Sequence, residues 1–187
     1  MVKKEGTEFL KTKKFWIILA ILEIVGVWLF YHYGYTVPVI LEQAFLLAVL
    51  LYVAFLDQRT MTIPNRVVLL TLGVRVIFLI IECFMNPGNA VSLLIKMLVG
   101  MAVLFITFFA VYFFSRGGIG GGDVKLVAVI GFYMGLRAGY MAMVVSLLIA
   151  MVFSLIGLAR KKLTMKDKIA FGPFLAIGTI ITLLLGA

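Results

Sequence analysis

The sequence predicts an all-α, polytopic membrane bundle with six to seven transmembrane helices and a cytoplasmic N-terminus. Three observations carry that reading. Of the 187 residues, 64% are hydrophobic and only 13% charged, against about 25% charged in an ordinary soluble domain. Mean hydropathy is +1.20. Uncharged runs such as 144–158 are too long to hide in the core of a water-soluble protein of this size.

Apolar segments fall at 15–35, 37–56, 67–85, 91–114, 124–135, 138–159 and 171–186, and most approach the ~20 residues that a crossing helix needs. The first follows a basic segment, 1–14, much as a signal peptide would. Glu23 interrupts it, however, and no small-x-small cleavage site follows, so a retained helix is expected. The second ends at Asp57, and Pro64-Asn65 then stops one helix and starts the next. Asn65 is the expected N-cap there. The fifth segment is short. It is either continued by the glycine-rich stretch before it, held in a re-entrant position, or set against a wet cavity rather than lipid.

Orientation follows from the bases. With the N-terminus inside, every Lys and Arg falls on the inner side except Arg137, which is outside, and Arg75 and Lys96, which lie within spans. The outer connections 33–36 and 86–90 carry no formal charge. Asp57 and Asp123 therefore share the cytoplasmic face although far apart in the chain. The net charge of +9 is spread between apolar spans rather than gathered on one face, so anionic lipid headgroups are the expected counter-charge and nucleic acid is not a partner.

A lone Cys83 and a lone His32 exclude a disulfide framework and a CxxC zinc or redox motif, and leave little for a His-based triad or metal site. No metal or cofactor is expected. The rare carboxylates are the informative residues. Asp123 closes a dense glycine run, Gly117, Gly118, Gly120, Gly121 and Gly122, which reads as a loop with wide backbone freedom, able to lay main chain against a ligand. It is not a P-loop, because Asp123 stands where that motif needs Lys, and it is not a dinucleotide fingerprint, because no βαβ unit is available. An acid in that place points to proton chemistry. Two carboxylates in a partly dry cavity repel one another, so that one keeps a proton while the other stays ionised. Such a pair hydrolyses peptides with no metal, thiol or imidazole: the carboxylate takes a proton from the attacking water, and the acid polarises the carbonyl.

At these residues the chain resembles a known family. Gly118-Ile119-Gly120-Gly121-Gly122-Asp123-Val124-Lys125-Leu126, with Ala128, Gly131 and Gly135, is similar to the GxGD signature of the type IV prepilin peptidases, which are intramembrane aspartyl proteases. Asp57-Gln58-Arg59 with Ile63-Pro64-Asn65 resembles that family's first catalytic segment, and Phe171-Gly172-Pro173-Phe174 resembles the opening of its last helix. The resemblance implies an aspartic endopeptidase of the cytoplasmic (inner) membrane, with Asp57 and Asp123 as its dyad and 15–187 as the peptidase domain. It would cleave the basic leader of pilin-like precursors at the cytoplasmic face. Gly118, Gly120, Gly122, Lys125, Arg59, Pro64 and Asn65 are implied as substrate or loop residues. With no CxxC pairs, the chain is similar to the short, protease-only branch that serves tight-adherence pili or preflagellins, so N-methylation is not expected.

Lys125 either biases the ionisation of Asp123 or meets headgroups, the second being favoured, and Arg59 stands in the same relation to Asp57. Glu23, Glu42 and Glu82 are expected to pair with Arg75 and Lys96 inside the bundle. The competing class is a small non-enzymatic carrier or assembly factor that uses the same acids to bind protons or cations. A carrier would show paired repeats, and the glycine-rich acidic segment has no second copy.

Overall fold

A computed structural model describes residues 17, 20–21, 24–26, 28, 31–32, 34–114, 119–161, 163–164 and 169–185. The basic segment 1–14, Glu23, Arg116, Gly117, Gly118, Lys162, Lys166 and Lys168 lie outside them. The described residues between 17 and 32 are helical, and the chain then turns at Gly34. Buried Gly26 there faces Leu184 and Leu47. Five helices follow: α1 (Val37–Thr60), α2 (Asn65–Met85), α3 (Ala90–Phe114), α4 (Gly121–Ala159) and α5 (Gly172–Leu184), with a single 3-10 turn at Pro87–Asn89 between α2 and α3. Four of them, the last taking in the whole of Gly121–Ala159, are long and apolar enough to cross a membrane. The protein is an all-helical, multi-pass membrane bundle.

Helix α4 settles the short fifth segment. A straight helix of 39 residues would run about 58 Å, roughly twice the thickness of the apolar bilayer. It does not run straight. Gly135 has φ +73 and ψ −177, a conformation open only to glycine, and there the chain doubles back. A Cβ on Gly139 would sit 3.2 Å from the Gly131 Cα, a closeness that only two antiparallel halves allow. The two segments expected at 124–135 and 138–159 are thus the two arms of one hairpin. Its first arm begins at Gly121, so the end of the glycine run is helix rather than loop. Gly120 itself has φ −75, an ordinary value. The expected backbone freedom is not used at Gly120, and what Gly122 gives the fold is space beside Ile63.

The first arm of α4 and all of α5 are buried on nearly every side and form the centre of the bundle. Small residues let the helices approach closely. A Cβ on Gly100 of α3 would lie 2.5 Å from the Gly131 carbonyl oxygen and 2.7 Å from the Leu136 nitrogen, both main-chain atoms. Gly100→Ala should therefore lower stability by about 1–3 kcal/mol, the usual cost of overpacking, read as earlier thermal unfolding in detergent. An unchanged melting temperature would mean that the α3–α4 contact is looser than described.

A buried ionic node ties α1, α2 and α4 together at the other end of the bundle from Asp57. Arg75, 1% exposed, meets Glu42 Oε2 at 3.0 Å and Glu82 Oε2 at 3.2 Å. Its Nε donates to the Phe132 carbonyl at 3.4 Å, and the neighbouring Tyr133 hydroxyl donates to the Thr71 carbonyl at 2.9 Å. The expected pairing of intramembrane acids with Arg75 is what the structure contains. Lys96, by contrast, forms no ion pair among the described residues.

Candidate active site

Helix α1 runs four residues past the expected end of its segment, to Thr60, and carries Asp57 in its last turn. Met61 closes the helix in the left-handed conformation (φ 53) and donates its N–H to the Asp57 carbonyl at 2.9 Å. The chain then reaches Pro64, which precedes the first residue of α2, and Asn65 is already helical. Asn65 does not cap the helix as expected: its side-chain oxygen instead accepts from Lys125 Nζ at 2.9 Å. That bond links the start of α2 to the first turn of α4 and turns Lys125 away from a pairing with Asp123.

Asp57 and Asp123 are nearly buried, at 5% and 8% exposure. They line one cavity of about 410 Å³ together with Met61, Ile119 and Gly120. The returning arm of α4 supplies one wall, Leu147, Ala150, Met151 and Ser154, and residues 169–171 close the site before α5. The hairpin at Gly135 is what brings Leu147 beside Asp123. The two carboxylates are close enough to interact electrostatically.

Each carboxylate sits on the N-terminus of a short buried helix. Asp123 is the third residue of α4 and accepts the Gly120 N–H through Oδ2 at 3.2 Å, one half of a capping box. Asp57 comes from a different helix: its Oδ2 accepts the Gly172 N–H at 2.8 Å, at the first turn of α5, where Pro173 occupies a position that needs no N–H. Both sites therefore present unpaired backbone donors and the positive end of a helix dipole to an acid. Asp123 Oδ1 is buried and has no partner among the described residues, which leaves it free for water, substrate or the proton of its neighbour.

Glycine provides the room for this arrangement. A Cβ on Gly172 would lie 3.1 Å from both Cβ and Oδ2 of Asp57, and one on Gly122 would lie 2.9 Å from the Ile63 Cβ. Gly121, one residue earlier, faces open space. Of the other expected site residues, Gly120 lines the cavity, while Arg59 is exposed and lies over the Phe55 ring at 4.0 Å. Gly172 and the α4 wall were not singled out as site residues from sequence. The Gly172-Pro173 pair signals a helix start, but nothing local says that Asp57 will cap it.

A profile of the type IV leader peptidase family matches residues 44–155, the stretch that contains both aspartates. Among curated proteins, the prepilin leader peptidase/N-methyltransferase of Bacillus subtilis (strain 168) is 31% identical over 140 residues, covering 75% of this chain and 54% of that protein. Proteins of the same description from Aeromonas hydrophila and Pectobacterium carotovorum subsp. carotovorum are 33% and 29% identical, over 74% and 72% of this chain and 47% and 48% of theirs. The chain thus spans about half the length of the curated relatives it matches. No solved structure matches it. With the profile extending over more than half of the chain, from the middle of α1 into the returning arm of α4, this protein belongs to the type IV leader peptidase family.

Proposed function

We propose that the protein is an aspartic endopeptidase that removes the leader peptide of type IV prepilin-like precursors, with Asp57 and Asp123 as the catalytic pair. The observation that carries this reading is the shared cavity: two nearly buried carboxylates, each hydrogen-bonded to a helix N-terminus, border one space large enough for water and an extended peptide. One carboxylate accepts a proton from the water as its oxygen attacks the scissile carbonyl. The other, protonated, donates to that carbonyl oxygen and recovers a proton from it as the tetrahedral intermediate collapses, while the first passes the proton it took from water to the leaving amine. The pair is treated as a unit, because coupled acids titrate together. Relatives described as prepilin leader peptidases support the substrate class.

The described bases support an orientation with the aspartates on the cytoplasmic side of the inner membrane. Arg59, Arg66, Lys125, Arg160 and Lys161 flank the helix ends around the cavity, and Arg137 lies beside the far turn of the α4 hairpin. On anionic lipid each base would contribute about 1 kcal/mol to seating the bundle. The leader would be cut at that face.

Co-expression with a candidate precursor tests the function: a mobility shift of the precursor is expected, dependent on this chain. Cleavage in washed membranes should continue in EDTA and after treatment with N-ethylmaleimide, since the mechanism uses neither a Lewis acid nor a thiolate. Abolition by EDTA would overturn it.

A further inference from the structure

A second polar cavity lies at the end of the bundle away from the two aspartates, and the reaction makes no use of it. Its inner part, about 240 Å³, is lined by Glu42, Gln43, Arg75, Glu82 and Lys96. It adjoins an outer part of about 470 Å³, with which it shares Val39, Glu82 and Lys96, and whose rim includes Asn86, Asn89 and Ser92 from the connection before α3. The opening is therefore at the helix ends, at the depth of lipid headgroups.

The donors and acceptors in this cavity do not balance. Glu42 and Glu82 share the single guanidinium of Arg75. Glu42 is 2% exposed, and its Oε1 has no hydrogen-bond partner among the described residues; Gln43 Oε1 is likewise unpaired. Two of the cavity's donors are already used, Arg75 on Glu42, Glu82 and Phe132, and the Tyr133 hydroxyl on Thr71. A buried acceptor left unsatisfied is destabilising. What fills the inner part must bring N–H or O–H donors to these two oxygens. Lys96, with its stem laid along Gly135, borders the same space and has no ion pair among the described residues. Its ammonium offers an anion a partner at the rim.

We propose that this cavity binds a primary ammonium joined to a phosphate: the ammonium donates to Glu42 Oε1 and Gln43 Oε1, and the phosphate meets Lys96. That is the headgroup chemistry of phosphatidylethanolamine, and also of soluble phosphoethanolamine. Phosphatidylcholine carries the same charges but no N–H, so it cannot satisfy the acceptors. This inference is independent of the peptidase reading.

The test is native mass spectrometry of the purified full chain in an equal mixture of phosphatidylethanolamine and phosphatidylcholine with identical acyl chains. At least fivefold retention of the ethanolamine lipid is expected. Glu42→Gln should bring the two lipids to parity. Because that change also touches Arg75, Lys96→Met is the second variant: it leaves the ionic node intact and should lower retention of the ethanolamine lipid severalfold with an unchanged melting temperature. Soluble phosphoethanolamine separates the sources. Thermal protection equal to that of the lipid assigns the cavity to a free headgroup compound, and protection by lipid alone assigns it to the membrane. Equal retention of both lipids by the unaltered chain, or a preference untouched in both variants, would overturn the proposal and leave water as the occupant.

Discussion

Asp57→Asn and Asp123→Asn should each lower cleavage of a prepilin-like precursor by about 10²–10⁴-fold, the contribution of one well-placed general acid or base. The substitution is chosen to keep the fold. Asparagine retains an oxygen that can accept the Gly172 N–H at position 57 or the Gly120 N–H at position 123, so both helix termini stay capped. It removes the ability to take or give the proton. Because the two acids act as one unit, the double variant should be no worse than the weaker single variant. The measurement is the rate of precursor conversion in membranes carrying equal amounts of each variant. If both single variants still process the precursor, the assignment of the pair is wrong.

The second large effect concerns two glycines, neither of which touches the substrate through a side chain. Gly172→Ala places a methyl 3.1 Å from the Asp57 carboxylate, and Gly122→Ala places one 2.9 Å from the Ile63 Cβ. The first pushes directly on a reacting group. The second forces apart the start of α4 and the connection before α2, and so shifts Asp123 relative to Asp57. A displacement near 1 Å costs about 10²-fold in a reaction that depends on positioning, and losses of that order are expected from each while the protein still accumulates in the membrane. Gly121→Ala is the internal control. Its new methyl meets open space, and in a helix alanine is favoured over glycine by about 1 kcal/mol, so activity and yield should be unchanged. Equal activity in all three variants would reduce the glycine run to a passive connection.

The contrast among these glycines shows what local sequence can and cannot convey. Composition and the placement of Lys and Arg were sufficient to set Asp57 and Asp123 at one end of a helical bundle, because burial of apolar segments and the charge rule act on each segment separately. The same logic found two arms either side of Gly135. Gly121 and Gly122 were expected in a loop and are helical, since a glycine run looks alike whether it supplies freedom or space; at Gly122 only the neighbour, Ile63 from a distant connection, decides. Asn65 failed as a cap for a comparable reason: Lys125, far along the chain, took its oxygen. Arg75 was legible as a partner for intramembrane acids, but the choice of Glu42 and Glu82, and the exclusion of Lys96, depend on how α1, α2 and α3 rotate about their axes. The bond from Gly172 to Asp57 joins residues on different helices and has no signature in either segment.

The brevity of the central helices sets how deep in the membrane the chemistry would occur. With 13 residues, α5 rises about 20 Å, some 10 Å less than the ~30 Å of hydrocarbon that surrounds it. If that shortfall lies at the end that carries the cavity, the cavity before its first turn forms a well that reaches below the level at which lipid chains begin, with Asp57 and Asp123 in its wall. On the proposed function, a substrate helix arriving from the lipid side would not need to be drawn out of the membrane to be cut. Only its end has to unravel, into a place where water and the free N–H groups of two helix termini replace the hydrogen bonds it gives up. In open lipid each such bond would cost several kcal/mol to break. Inside such a well that penalty would fall on a few residues at the leader junction and spare the apolar stretch beyond it, which would remain helical and anchored after cleavage.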